Sequence, residues 1–109
     1  MNIKIDVKQE DTNIEVTVQG EIDAYTAPKL RETLFPLVDQ EGVRMTVDLS
    51  GVGYMDSTGL GVFVGLFKNI RAREGDFRII GMSDRLKRLF DITGLADIIH
   101  ITSDIKGGL

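Results

Sequence analysis

One short run, Asp56-Ser57-Thr58-Gly59-Leu60-Gly61, sets two hydroxyls beside a carboxylate and among small residues. It follows a segment in which Met45, Val47 and Leu49 alternate with Thr46, Asp48 and Ser50, and it precedes an apolar stretch. The run therefore falls between a strand's carboxyl end and a helix's first turn, the edge where open α/β sheets meet ligands and partners. Four kinds of chemistry are open to such residues. As a nucleophile, Ser57 lacks the glycine two positions before it, because Met55 stands there, and His100 is the sole histidine available as a base. As a phosphate cradle, Gly59 and Gly61 would present backbone N–H groups at a helix start. No Gly-Lys-Ser or Gly-Lys-Thr accompanies them, and Val64 stands where the dinucleotide fingerprint has glycine. As metal ligands, Asp23, Asp48 and Asp56 would have to converge, whereas loop carboxylates commonly cap helices and bond turn backbones. Fourth, Ser57 is a modifiable hydroxyl at an exposed junction, with Asp56 to position it and glycines that let a partner come close. The competing reading is that Ser57 or Thr58 only caps the helix. The residues alone leave that choice open.

The rest of the chain bounds these readings. Its 109 residues suffice for one domain, residues 1–109, with a real core. The absence of cysteine removes disulfide and thiolate-metal frameworks, and one histidine removes a histidine-rich metal site. A formal charge of -4 argues against nucleic acid, whose binding rests on clustered Lys and Arg. The densest basic cluster, Arg85, Lys87 and Arg88, reads as the solvated face of a helix. No apolar run approaches the roughly 18 residues of a membrane span, and the N-terminus alternates from Asn2 onward. The expectation is a soluble cytoplasmic protein that binds neither nucleic acid nor membrane and holds no cofactor or metal.

The elements that must position Ser57 follow from periodicity. Ile3, Ile5 and Val7, then Ile14, Val16 and Val18, alternate with polar residues around the turn Glu10–Asn13, which predicts a β-hairpin. Gly20-Glu21-Ile22-Asp23 leads into a helix with Thr26 as N-cap and Pro28 in its first turn. Ala27, Leu30, Leu34, Leu37 and Val38 recur at helical spacing, with Pro36 expected to kink or shorten the helix and Gly42 to end it. Met45 to Ser50 predicts a third strand. A second helix is expected from about Ser57 to Arg73, with Leu60, Phe63, Val64, Phe67 and Ile70 inward. Its Gly59, Gly61 and Gly65 each cost roughly 1 kcal/mol relative to alanine, so the helix either packs very closely on the sheet or is approached by another molecule. A fourth strand, Phe77 to Ile80, precedes a helix capped by Ser83, turned inward through Leu86, Leu89 and Phe90, and ended by Gly94. A last strand covers Ile98 to Ile101. The order β-β-α-β-α-β-α-β predicts an α/β mixed sheet, an N-terminal hairpin followed by right-handed β-α-β units, with the helices mainly on one face.

On these residues the chain resembles a known family. The segments VDLSGVGYMDSTGLGVFVG, GEIDAYTAPKLRETL and MSDRLKRLFDITGL are similar to those of STAS-domain anti-sigma-factor antagonists, nearest to the general-stress-response members of Gram-positive bacteria. The similarity runs along nearly the whole chain, although the tail after Thr102 is short for the family's usual last helix. The resemblance implies a non-enzymatic regulator. Its unphosphorylated form would bind an anti-sigma factor that is also a serine kinase, freeing a sigma factor for RNA polymerase. The kinase would phosphorylate Ser57 and lose its grip, and a PP2C-type phosphatase would restore binding. The resemblance assigns Asp23 to partner contact and phosphoryl transfer, with Tyr25, Asp56, Thr58 and Gly59 as neighbouring partner-binding positions. Two other readings stand beside it: a small nucleotide-binding module using the Gly59–Gly61 helix start, and a scaffold subunit of a STAS-containing stress complex.

Overall fold

The computed structural model describes residues 2–93 and 100–102. Strand β1 (Ile3–Glu10) and strand β2 (Asn13–Ile22) form the expected hairpin, joined through Asp11 and Thr12 with Asp11 at φ 57°. Helix α1 (Ala27–Leu34) comes next, then a single 3₁₀ turn (Phe35–Val38), strand β3 (Arg44–Met55) and helix α2 (Ser57–Ala72). Strand β4 (Asp76–Ile80), helix α3 (Asp84–Thr93) and strand β5 (His100–Thr102) complete the described order. Gly94, Ile98 and Ile99, expected to end α3 and open the last strand, lie outside the described residues, as does the tail after Thr102.

The strands form one sheet in the order β1-β2-β3-β4-β5. Only β1 and β2 run antiparallel; β3, β4 and β5 each join parallel to the strand before. Each parallel step after the hairpin needs a crossover, and the helices supply it. Alternation decides which face they cover. Ile14, Val16 and Val18 of β2, Met45, Val47 and Leu49 of β3, and Phe77 and Ile79 of β4 share one core with Leu30 and Leu34 of α1, Phe63, Leu66 and Ile70 of α2, and Leu86 and Phe90 of α3. The intervening Glu15, Arg44 and Arg78 point to the other face and are exposed. All three helices therefore pack on one side of the sheet.

One detail follows the expected pattern and one departs from it, and both have local causes. Pro36 ends α1 by denying the chain an i→i−4 bond, and the tighter 3₁₀ turn absorbs it. On α2, Val62 and Leu66 are buried while Val64 and Phe67 are only half covered, so the inward face is rotated from the expected stripe. Gly65 explains the rotation. A Cβ there would lie 2.8 Å from Cζ of Phe35, so the Gly65 side of the helix lies against the 3₁₀ turn.

Strand β3 is the element that positions the site, and it is twice the length the alternation suggests. Its pairing with β2 slips between Thr17 and Gln19 and again between Gly20 and Glu21, each time leaving one extra residue on β3. These are β-bulges, which bend a strand and re-aim its side chains. Beyond Leu49 the buried residues come at a spacing of three, Val52 and then Met55, where simple alternation would have turned Val52 outward. Gly51 sits at the first slip because the chains nearly touch there: a Cβ would lie 2.7 Å from Cγ of Gln19.

Candidate functional site

The parallel strands β2 and β3 finish side by side, with Glu21 opposite Tyr54 and Ile22 opposite Met55, and the Asp56 N–H donates to the Ile22 carbonyl at 3.1 Å. Each strand then hands over to a helix through an aspartate. Asp56 has the extended backbone of an N-cap (φ −108°, ψ −174°), and its Oδ1 accepts from the N–H of Thr58 at 2.9 Å and of Gly59 at 3.2 Å. This corrects the expectation that Ser57 or Thr58 caps α2. Asp56 does so, because a carboxylate satisfies two unpaired donors at once and is favoured by the helix dipole. Ser57 is thereby left at the first helical position, exposed, with its hydroxyl outside the cap. The capping alternative for Ser57 falls away.

Asp23 plays the matching part at the end of β2. Its Oδ1 accepts from the N–H of Tyr25 at 2.9 Å and of Thr26 at 3.0 Å, while the Thr26 hydroxyl accepts from the Asp23 N–H at 2.9 Å and donates to the Glu21 carbonyl at 2.8 Å. The two side chains cap each other's backbone, as in a capping box. Thr26 is the N-cap residue of α1, as expected, and its carbonyl accepts from the Leu30 N–H, but its hydroxyl makes no cap bond to that helix; it locks the turn that Asp23 begins. Asp23 is only 6% exposed. Its second oxygen makes no hydrogen bond in the fold, and among the described residues no fully buried side-chain oxygen lacks a partner, so Oδ2 keeps contact with the surface. Asp23 is held rigidly with one oxygen committed and one presented.

The residues flanking these caps are open. Tyr25 is 83% exposed and Tyr54 47%, and with Glu21, Asp23, Ala24 and Asp56 they line a shallow hollow of about 380 Å³. Sequence reasoning missed Tyr54 and Glu21. The signal was there in Gly51 and Gly53, whose presence marks a strand continuing through bulges, not ending at Ser50. Gly59 is buried, and a Cβ on it would lie 2.3 Å from Cγ2 of Ile22 and 3.0 Å from Cγ of Met55. Its lack of a side chain lets α2 start flush against the sheet, so Gly59 acts by packing and is not itself open to a partner. Asp23, Tyr25, Asp56, Ser57 and Thr58 are brought to one edge of the sheet.

The remaining candidates are dispersed. Asp48 lies within β3 opposite Thr17 and Ile80 and accepts from the N–H of Ser50 at 2.9 Å, so it does not join Asp23 and Asp56. Among the described residues, no three of His, Cys, Asp and Glu gather to hold a metal. The backbone of His100 pairs with Arg78, which pairs with Thr46, far along β3 from Ser57. That register gives Ser57 no histidine base. A phosphate cradle at α2 fares no better, because Asp56 already holds the Thr58 and Gly59 N–H groups and its own carbonyl holds that of Leu60. Among the described residues, no helix is long and apolar enough to cross a membrane.

A mixed sheet covered on one face, with an exposed serine at the strand–helix junction, agrees with the sequence comparisons: the STAS domain model matches residues 4–107, and the chain belongs to the STAS domain family. Within it, the chain is 57% identical over 102 residues to the anti-sigma-B factor antagonist of Listeria monocytogenes, covering 93% of this chain and 90% of that protein. It is 53% identical over 109 residues to the anti-sigma-B factor antagonist of Bacillus subtilis, covering 100% and 99%. Among solved structures, an anti-sigma factor antagonist from Mycobacterium paratuberculosis matches with a TM-score of 0.84 at 26% identity, over 95% of this chain and 88% of that one. SpoIIAA shares the fold in both of its forms. The unphosphorylated form gives a TM-score of 0.76 at 15% identity (94% and 91% covered), and the phosphorylated form 0.74 at 17% (93% of each).

Proposed function

We infer that this protein is an anti-sigma-factor antagonist of the general-stress type, a binding protein and not an enzyme, controlled by phosphorylation of Ser57. Its partner is an anti-sigma factor with serine kinase activity. The unmodified antagonist docks through the sheet edge carrying Asp23, Tyr25, Asp56, Ser57 and Thr58, and the sigma factor is released. Transfer of a phosphoryl group to the Ser57 hydroxyl ends the contact, and a PP2C-type phosphatase reverses it. The observation that carries this reading is that Asp56 does the capping, which leaves Ser57 exposed and free to be modified without loss of a fold contact.

The size of the switch follows from charge. Phosphoserine adds about −1.5 to −2 charges at pH 7. In the free protein that charge stays in water. In a complex it is desolvated beside Asp56, and like-charge contact at an interface costs several kcal/mol. About 4 kcal/mol is on the order of a thousandfold in affinity. The carboxylate that frees Ser57 from capping is thus also the nearest charge to oppose the phosphate. Incubation with the kinase partner and ATP, followed by mapping of the phosphate, tests the assignment. Label is expected on Ser57, and Ser57→Ala should bind the partner yet accept no label. Labelling of that variant at Thr58 would show that the wrong hydroxyl had been chosen.

A further inference from the structure

Helix α2 carries three glycines, and the fold accounts for two of them. Gly59 has no room for a Cβ against Ile22 and Met55, and Gly65 has none against the Phe35 ring. A Cβ on Gly61 would meet nothing within 4 Å, and the residue is exposed. Alanine at this position would form a better helix at no steric cost, so the packing of the chain gives no reason for glycine here. Residues four apart share a helix face, which puts Gly61 directly beneath Ser57, one turn along. We propose that Gly61 is a contact residue for the kinase partner, a stretch of bare helix backbone over which the partner lies as it takes Ser57 into its phosphoryl-transfer site. This rests on the function proposed above. The occupant follows from Ser57. Transfer to its hydroxyl needs the reacting atoms about 3–3.5 Å apart, so the protein enclosing the nucleotide must close over the first two turns of α2. A side chain at position 61 would stand in the way of that approach, and its absence also opens the backbone to weak Cα–H···O contacts.

The test uses Gly61→Ala and Gly61→Leu in the full chain, with thermal unfolding, affinity for the kinase in the presence of ADP, and the rate of Ser57 phosphorylation as readouts. Gly61→Ala is expected to raise Tm by about 4–8 °C. The same variant should weaken partner binding on the order of tenfold, and Gly61→Leu should weaken it further and slow phosphorylation with it. Stability and binding would then move in opposite directions, which a merely structural glycine could not produce. Partner binding and phosphorylation equal to wild type in both variants would overturn the inference alone, as would a fall in Tm for Gly61→Ala. A kinase that neither binds nor modifies the wild-type protein would overturn the proposed function and this inference together.

Discussion

Phosphorylation of Ser57 should leave the stability of the free protein almost unchanged. A phosphate at a helix N-terminus is ordinarily favoured, by about 0.3–1 kcal/mol at an exposed site. Here its usual donors are taken. The Thr58 and Gly59 N–H groups are bonded to Asp56 Oδ1 and the Leu60 N–H to the Asp56 carbonyl, so the phosphate competes with a cap already in place. Opposing it is repulsion from that carboxylate, which at about 6 Å in water comes to roughly 1 kcal/mol for a doubly charged group, less once salt screens it. The two effects nearly cancel. Against about 4–8 °C per kcal/mol for a domain near this size, the expected shift in Tm is within about 5 °C in either direction. Calorimetry on the unmodified and fully phosphorylated proteins measures it, and hydrogen exchange on the amides of α2 reports whether the first turn holds. Titration of both forms with the kinase partner should meanwhile show a loss of affinity of about a thousandfold. A fall in Tm of 15 °C, or loss of protection along the whole of α2, would refute the reasoning, since the switch would then be a refolding and not a local change of charge.

Other substitutions separate packing from binding at the same edge. Gly59→Ala should destabilise by about 1–2 kcal/mol in denaturant unfolding, because the added methyl meets the stiff, β-branched Ile22 and the overpacking outweighs the gain in helix propensity. Thr26→Val keeps the shape of a buried residue but strips the partners from the Asp23 N–H and the Glu21 carbonyl; a loss of about 2 kcal/mol is expected by the same assay. Asp23→Asn retains an oxygen for the Tyr25 and Thr26 N–H groups, so stability should change by less than about 1 kcal/mol. Affinity for the kinase partner should nonetheless fall in that variant; wild-type affinity would reduce Asp23 to a capping residue. Ser57→Asp should weaken partner binding by less than the phosphate does, as titration would show, because a carboxylate carries about half the charge.

The sequence by itself determined the order of elements, the hairpin, the single covered face of the sheet and the place of Ser57 at a strand–helix junction. These are properties of local periodicity and of a motif, and both survive without knowledge of neighbours. Pro36 and Ser83 acted as read, one ending a helix and one capping it, with the Ser83 hydroxyl accepting from the Leu86 N–H at 3.3 Å. The tertiary structure alone decided what depends on distance. The identity of the α2 cap turned on which oxygen lies nearest two N–H groups, and Asp, Ser and Thr are all competent to provide it. The length of β3, and with it Tyr54, was hidden because bulges break the period that reveals a strand. The three glycines of α2 look alike as letters. Only the positions of Ile22, Met55 and Phe35 show that two of them make room for the fold, while a Cβ on the third, Gly61, would meet nothing within 4 Å.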